Sequence, residues 1–529
     1  METTKRLYRV DREDIAYLRG IIESYDGMAV VRTVDPHEAV IELLVAPGCQ
    51  NSLSDLLKDL GNREALSLTP WVPEKEKENF LRRRYYTAVM GCQMNDYDSD
   101  YLGQVLQNEG YLPAKDPKEA DLILINTCTV RAKAEHKAYS LLGRMAAIKR
   151  KRPGTILGMV GCMAQQKGPT LLEEFPDLDL VLGTREIRNI GAFLAKIQSK
   201  GGRVAATALQ GGPLPFVNRP GYFSGRVSSF VSIMQGCDNF CTYCVVPYVR
   251  GREVSRPPEE ITQEVTCLVQ QGVQEVTLLG QNVNSYTYGE ERRAGFPRLL
   301  RALDRVDGLK RMRFTTSHPK DLSPELIQCF GELEHLCPHI HLPFQSGSDR
   351  ILHTMRRGYT RETYMALVEK IRDARPDIAV TADVMVGFPG ESEEDFELTL
   401  DLIRKIQFDM LFSFKYSDRK GTYAATIKGK IPDPVKAGRL TALQGLQREI
   451  TLKKNRALVG TVAEVLVEGE SKKGGQLTGR TGTNKVVNFQ CDISLIGHII
   501  NVKIKQAFAH SLWAEPADQG RDLAQNRNP

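Results

Sequence analysis

The segment MQGCDNFCTYC sets Cys237, Cys241 and Cys244 within eight residues, close enough for one loop to wrap three thiols around a single inorganic centre. Three thiolates suit a cubane iron–sulfur cluster whose fourth iron has no protein ligand and stays open to a substrate or cofactor. Structural zinc normally takes four protein ligands, and between Ser232 and Ser255 there is no further Cys or His, so a zinc reading needs a ligand from elsewhere. Phe240 and Tyr243 in the same loop either shield such a cluster or pack as ordinary core.

A second set of thiols is dispersed. Cys92 in VMGCQMN, Cys128 in INTCTV and Cys162 in MVGCMAQ each follow a predicted parallel strand. Ligands of open α/β sheets sit outside the carboxyl ends of the strands, so these three loops can converge on one point and hold a second cluster with a free iron. The bland alternative is three separately buried cysteines, a common fate for free thiols. Asn95, Asn126, Thr127 and Gln165 lie beside them, as hydrogen-bond donors to sulfur or as helix caps. Cys49, Cys267, Cys329, Cys337 and Cys491 show no ligand spacing and read as packing residues, and the alternating His339 and His341 as structural.

A small cofactor beside an open iron needs polar groups at the strand mouths. The candidates are Gln281 and Asn282 in LLGQNVNSY, Thr316 and Ser317 before His318, Gln345 and Ser346 in HLPFQSGS, and Gly387 with Glu391 in VGFPGES. Near the C-terminus Lys472, Lys473, Arg480, Lys485, Lys503 and Lys505, with Phe489, form the pattern of a basic RNA-binding face or of a solvated surface.

The elements that must position these residues are legible in outline. Residues 1–80 read as a small α+β module, with a helix near Arg12–Tyr25, strands in AVVRTV and AVIELLV, and a helix NSLSDLLKDLG closed by Gly61. PWVPEKEKEN, at 70–79, reads as a linker. Over 83–205 the strands YYTAVM, ADLILIN and TILGMV alternate with helices and predict a parallel sheet, and the Gly- and Pro-rich stretch after Gly201 marks its end. Over 222–455 six strands, FVSIMQ, EVTLLGQ, RMRFTTS, HIHLPFQ, IAVTADVMVGF and FDMLFSFKYS, alternate with helices and predict a partial (β/α)6 barrel. Within it Ile261, Val265 and Leu268 share the face of a helix opened by Pro257 and Pro258, and Phe396, Leu400 and Ile403 that of another starting at Ser392. Over 456–517 short glycine-punctuated strands, TVAEVLVEG, LTGRTGTN, KVVNF and HIINVKIKQAF, predict a small antiparallel β-barrel of OB-like type. Residues 518–529 read as a disordered tail.

Composition narrows the class without naming it. A chain of 529 residues, 41% hydrophobic and 26% charged, has the make-up of a folded protein of about three or four domains. It begins without an apolar h-region and has no run of ~20 apolar residues, so the expectation is a cytoplasmic protein away from membranes. Eleven cysteines in that setting point to metal or catalysis before disulfides. The net charge of +6 permits a polyanionic partner without requiring one.

Read together, GCQMNDYDSD, NTCTVRAKAEHKAYSLLGRM, GCMAQQKG, QGCDNFCTYCVVPYVRGREVSRP, LLGQNVNSY, TSHPKDLS, HLPFQSGSDRILHTMRRGYTR and TADVMVGFPGE resemble the tRNA methylthiotransferases of the radical S-adenosylmethionine superfamily, most closely the MiaB type. The resemblance runs from about Tyr85 to Trp513. It implies a methylthiotransferase domain whose Cys92, Cys128 and Cys162 hold an auxiliary 4Fe-4S cluster, a barrel whose Cys237, Cys241 and Cys244 hold the radical-generating one, and a terminal TRAM barrel. It further implies two uses of S-adenosylmethionine, as methyl donor and as radical source, in methylthiolation at C-2 of N6-isopentenyladenosine in the anticodon stem-loop of tRNA. A reducing donor such as flavodoxin or ferredoxin and a monomeric enzyme belong to the same expectation. Threonylcarbamoyl-adenosine in tRNA, a ribosomal-protein aspartate, or a non-catalytic iron–sulfur protein that binds RNA or transfers electrons stand as alternatives. Two features depart from the family pattern: YSDRKGTYAA, at 416–425, lacks the usual prolines, which predicts a looser loop, and the first 80 residues lie outside it, similar to a short domain of unknown function.

Overall fold

In the computed structural model, residues 3–25, 27–36, 38–63, 66, 68–71, 83–129, 132–289, 295–471 and 474–517 are described. Most of the expected linker, the tail 518–529, Lys472 and Lys473 lie outside them. The chain divides into two compact units, Met1–Arg83 with Gly110–Leu112, and Arg84–Glu109 with Pro113–Pro529.

In the first unit strand Thr4–Arg9, helix Ile15–Ser24, strands Ala29–Asp35 and Val40–Val45, helix Gln50–Arg63 and strand Thr69–Pro70 follow in the order β-α-β-β-α-β. The sheet runs 29–35, 40–45, 4–9, 69–70 with antiparallel neighbours, which is the split βαβ arrangement of ferredoxin-like folds. Leu18 and Ile22 of the first helix close on Ile41, Leu43 and Val45, and Leu53 and Leu60 of the second complete the core. The first strand, TKRLYR, escapes sequence reading because its charged residues hide the alternation. The second helix runs through Gly61 to Arg63 instead of ending there, since one interior glycine costs only about 1 kcal/mol.

The second unit opens with a parallel sheet ordered 204–206, 180–182, 156–161, 122–127, 84–90. Leu122–Thr127 is buried along its whole length because helices cover both faces, which explains an unbroken apolar run where a half-exposed strand would alternate. The strands Leu180–Leu182 and Val204–Ala206 were not anticipated: three residues are too few to show a period, and the latter lies in the stretch read as a boundary.

Six strands then build the partial barrel. Ser228–Ser232, Glu275–Leu279 and Arg311–Phe314 pair in parallel, as do His339–His341, Ala379–Val386 and Met410–Lys415, and a parallel bridge between Met312 and Leu336 joins the two triplets. The helix Pro258–Gln270 buries Ile261, Val265 and Leu268. Glu393–Ile406 starts at Ser392, whose hydroxyl and the Asp395 carboxylate form a reciprocal capping box, and buries Phe396, Leu400 and Ile403.

Five strands, Val462–Glu470, Leu477–Thr481, Val486–Phe489, Ile499–Ala507 and Leu512–Pro516, close the terminal barrel. The last, LWAEP, was not anticipated and pairs in parallel with Val486–Phe489, so the barrel is not antiparallel throughout. Phe489 is fully buried in its core and is not an exposed stacking platform. The barrel docks against the N-terminal ends of the (β/α) strands. Arg311 donates to the Arg480 carbonyl (2.7 Å) and the Glu464 carboxylate (2.8 Å), and Arg313 to the carbonyls of Gly482 (2.7 Å) and Thr481 (2.8 Å). Lys485, expected on a free basic face, donates instead to Asp409 (3.2 Å) and Asn455 (3.0 Å), because Asp409 is buried and Lys454 alone would balance it from one side. Lys485→Met should weaken this docking by about 1–3 kcal/mol, read as faster amide hydrogen exchange in Val462–Glu470 with the barrel strand Ala379–Val386 unchanged.

Candidate functional site

Cys237, Cys241 and Cys244 follow the strand Met234–Gln235 at the C-terminal mouth of the partial barrel. Gly236 turns the chain at φ 89°, where an added Cβ would stand 2.0 Å from the Arg252 carbonyl oxygen, so only glycine fits. Its N–H donates to the Gln281 side chain, which ties the loop to the mouth of the next strand. Thr242 is held twice, its N–H on the Met355 carbonyl (3.1 Å) and its hydroxyl on that of Thr354 (3.0 Å). Burial pushes the Cys237 thiol up to about 11, and burial with the neighbouring Cys241 pushes Cys244 up to about 12. A bound metal would keep such thiols ionised at neutral pH.

Arg357, which sequence reading passed over, reaches into the loop. Its guanidinium is buried, donates to the Cys241 sulfur (3.5 Å), the Tyr243 hydroxyl (3.4 Å) and the Pro343 carbonyl (3.0 Å), and stacks over Tyr359. Tyr243 thus supports a cation as well as the loop. Phe240 lies under the Arg252 guanidinium, 4.6 Å from its ring centre, and edge-on to Tyr248.

Around this mouth stand buried polar atoms with no partner among the described residues: both side-chain polar atoms of Gln235, Gln281 Nε2, Asn282 Oδ1, Ser317 Oγ and His318 Nε2. Buried polar atoms are rarely left unpaired, so this cluster fits a polar ligand of S-adenosylmethionine's kind seated at the mouth. Asn282 donates to Asp321 (2.7 Å), the His318 backbone N–H donates to the Asn284 side chain (2.8 Å), and the His318 ring accepts at Nδ1 from the Lys320 N–H (3.3 Å). Burial and the Arg357 charge hold the His318 imidazole down to about 2, so it is neutral at working pH. Four non-glycine residues of the mouth have left-handed backbones, Phe240, Thr316, Gln345 and Arg356 at φ 44°, 68°, 65° and 59°, strain of the kind that gathers at functional sites. Ser346 accepts from the Ser348 N–H (3.2 Å). One oxygen of the Glu391 carboxylate accepts from the Gly387 N–H (2.7 Å) and from buried Arg439 (2.7 Å), which fixes the shape of this loop.

The other triplet converges as its strand ends suggest. Cys92 caps the helix Gln93–Asn108, with Asn95 completing a capping box, Cys128 follows the strand Leu122–Thr127, and Cys162 begins the next helix after the strand Ile156–Gly161. Gly161 at φ 92° leaves room for Asn126, whose Oδ1 would lie 2.4 Å from an added Cβ. The Cys128 thiol donates to Cys92, and with Arg250 and the N–H groups of Met94 and Asn95 it draws Cys92 down to about 6, whereas burial raises Cys162. The amides locate loops and do not donate to sulfur: Asn95 donates to the Asn126 side chain (2.9 Å), Asn126 to the Asn95 carbonyl (2.9 Å), and Gln165 to the Thr207 carbonyl (2.6 Å). Among the described residues no three His, Cys, Asp or Glu side chains converge on a single metal ion.

The triplets adjoin. Cys244 leads into the short helix Val246–Val249, and Val245 and Val249 pack on Cys162. Thr184 donates to the Val249 carbonyl (2.8 Å), Arg185 to that of Arg252 (2.8 Å), and Arg226 pairs with Asp100 (2.8 Å). The 416–425 loop, expected to be looser, is anchored where the Ala424 N–H meets the Thr242 carbonyl (2.8 Å) and Arg356 covers Tyr423. Of the basic residues described on the terminal barrel, Lys503 is exposed and unshielded by a carboxylate on its own strand, Lys505 pairs with Glu515 (2.6 Å), and Arg480 pairs with Glu468 (3.1 Å). Among the described residues no helix is long and apolar enough to cross a membrane.

Four family profiles match: Uncharacterized protein family UPF0004 over 84–183, Radical SAM superfamily over 231–403, TRAM domain over 456–517, and Domain of unknown function DUF4911 over 8–63. A protein of Syntrophus aciditrophicus named tRNA-2-methylthio-N(6)-dimethylallyladenosine synthase is 51% identical over 439 residues, 82% of this chain and 94% of that one. A protein of the same name from Syntrophobacter fumaroxidans is 50% identical, covering 83% and 96%. Among solved structures the chain is similar to the radical S-adenosylmethionine methyltransferase TsrM of Kitasatospora setae, with TM-score 0.49 and 16% identity, over 65% of this chain and 77% of that one.

Proposed function

Because the chain belongs to the family of tRNA-2-methylthio-N(6)-dimethylallyladenosine synthases, radical S-adenosylmethionine methylthiotransferases, we propose that it adds a methylthio group at C-2 of N6-isopentenyladenosine beside the tRNA anticodon. An aromatic C–H offers neither an acidic proton nor a leaving group, so acid–base and nucleophilic routes have little to act on. When bound, a 4Fe-4S cluster with S-adenosylmethionine supplies radical and methyl chemistry, and a second cluster the sulfur.

The chain's own residues divide the work. Cys237, Cys241 and Cys244 hold the first cluster, with Arg357 fixing Cys241 and shielding its charge. Gln281, Asn282 and Ser317 orient the cofactor at the mouth through the polar atoms that lack a partner among the described residues. Cys92, Cys128 and Cys162 hold the second cluster. The single observation carrying this reading is the adjacency of the triplets, with the segment leaving Cys244 packed on Cys162. Residues 83–205 serve as the methylthiotransferase domain, 222–455 as the radical domain and 456–517 as the TRAM domain, through which Arg480, Lys503 and Lys505 meet the phosphates of the anticodon stem-loop. A monomer receiving electrons from a flavodoxin- or ferredoxin-like donor completes the proposal.

Nucleoside mass spectrometry of tRNA from a deletion strain tests it. Loss of 2-methylthio-N6-isopentenyladenosine is expected; loss of the threonylcarbamoyl derivative, or of a ribosomal-protein modification, would contradict it. Ser317→Ala should weaken S-adenosylmethionine binding about tenfold by calorimetry, the effect of one buried hydrogen bond, with iron content unchanged.

A further inference from the structure

Arg250 lies six residues after Cys244, yet its side chain belongs to the other half of the site. The guanidinium crosses from the radical domain to Asp98 on the helix that Cys92 caps, with N–O distances of 2.6 and 3.4 Å. Both side chains are nearly sealed from water, at 3% and 2% exposure. Arg250 directly follows Val249, which packs on Cys162, and its positive charge lowers the Cys92 thiol and opposes the rise that burial imposes on Cys162. Val245 and Val249 close the apolar wall beside Cys162 and exclude water from this contact.

An ion pair this deeply buried contributes little to stability over an apolar pair of the same shape, so its position against two cysteines calls for another reason. Hydrogen bonds to the sulfurs, nearby charge and solvent exposure are the levers by which a protein sets an iron–sulfur potential. We propose that Arg250 is a positioning residue of the centre held by Cys92, Cys128 and Cys162, and that the Arg250–Asp98 pair sets its reduction potential from the neighbouring domain. This rests on the assignment of a cluster to those three cysteines. The cation favours the reduced, more negative cluster, and Asp98 offsets part of that pull while aiming the guanidinium. Because the guanidinium arrives on the segment that leaves Cys244, the potential of one centre depends on the correct seating of the loop that holds the other.

The test uses the full-length chain with Cys237, Cys241 and Cys244 replaced by alanine, so that only the second centre remains, titrated with dithionite under electron paramagnetic resonance. D98N, which leaves the cation uncompensated, should shift the reduction equilibrium about tenfold toward the reduced form, about 59 mV positive. R250Q should shift it about as far the other way, and R250K, which keeps the charge, should lie between R250Q and the parent, all with the parent's iron content. Parent-like potentials in D98N and R250Q, shifts of one sign in both, or loss of iron from the D98N and Arg250 variants would overturn the proposal and leave Arg250 as packing. A parent chain with no cubane would instead overturn the assignment of Cys92, Cys128 and Cys162.

Discussion

Cys241→Ala should abolish the release of 5′-deoxyadenosine when the protein is mixed with S-adenosylmethionine and dithionite, by at least about a thousandfold. The size follows from the site. Three thiols within eight residues are the ligands proposed for that centre, and the loop around them is pinned at a few points: Gly236 on Gln281, Thr242 on Met355 and Thr354, and Arg357 on Cys241 itself. Removing the middle thiol also leaves the buried Arg357 guanidinium without one of its acceptors. Chromatography of the quenched reaction gives the number directly. Release near the parent rate would mean that this loop does not carry the radical chemistry, whereas a parent chain that releases none would favour a non-catalytic iron–sulfur protein.

Cys128→Ala should behave differently: 5′-deoxyadenosine release persists within about threefold, while methylthiolated nucleoside falls below detection. Cys128 is buried just after the strand Leu122–Thr127, in a different sheet from the barrel strands, and is not among the residues whose unpaired polar atoms gather at the barrel mouth, so its loss should leave cofactor binding intact. It is nonetheless the donor that holds the Cys92 thiolate, and without it the second triplet lacks both a ligand and the neighbour that orients one. Loss of both products from this variant would show that the two centres are not separable functions.

Much of this arrangement was legible in the sequence, for identifiable reasons. The six barrel strands stand where apolar runs follow helical periodicity, and both triplets were found because their thiols occur in repeated contexts, after strands. What escaped was short or long-range. The strands Leu180–Leu182 and Leu512–Pro516 are too brief or too mixed to carry a period. Arg250 and Arg357 were passed over, since nothing local reveals that each is buried against a partner more than a hundred residues away. Lys485 and Phe489 failed for the complementary reason: a basic and an aromatic residue on a small barrel suggest RNA, but the docking of that barrel onto Asp409 and the packing of its core claim both. The left-handed backbones at Phe240, Thr316, Gln345 and Arg356 carry no sequence signature, although all four sit in segments singled out for other reasons.

Two centres, as proposed, would separate this chain from a radical enzyme with one. Val245 and Val249 pack on Cys162, so on that proposal the two metal contents should be independent while the catalytic outputs are not. Counting iron and labile sulfide on anaerobically purified protein measures that claim most directly. About eight of each per chain are expected, falling to about four when either Cys92, Cys128 and Cys162 or Cys237, Cys241 and Cys244 are changed to alanine. About four in the parent, unaltered by alanine at 92, 128 and 162, would contradict it.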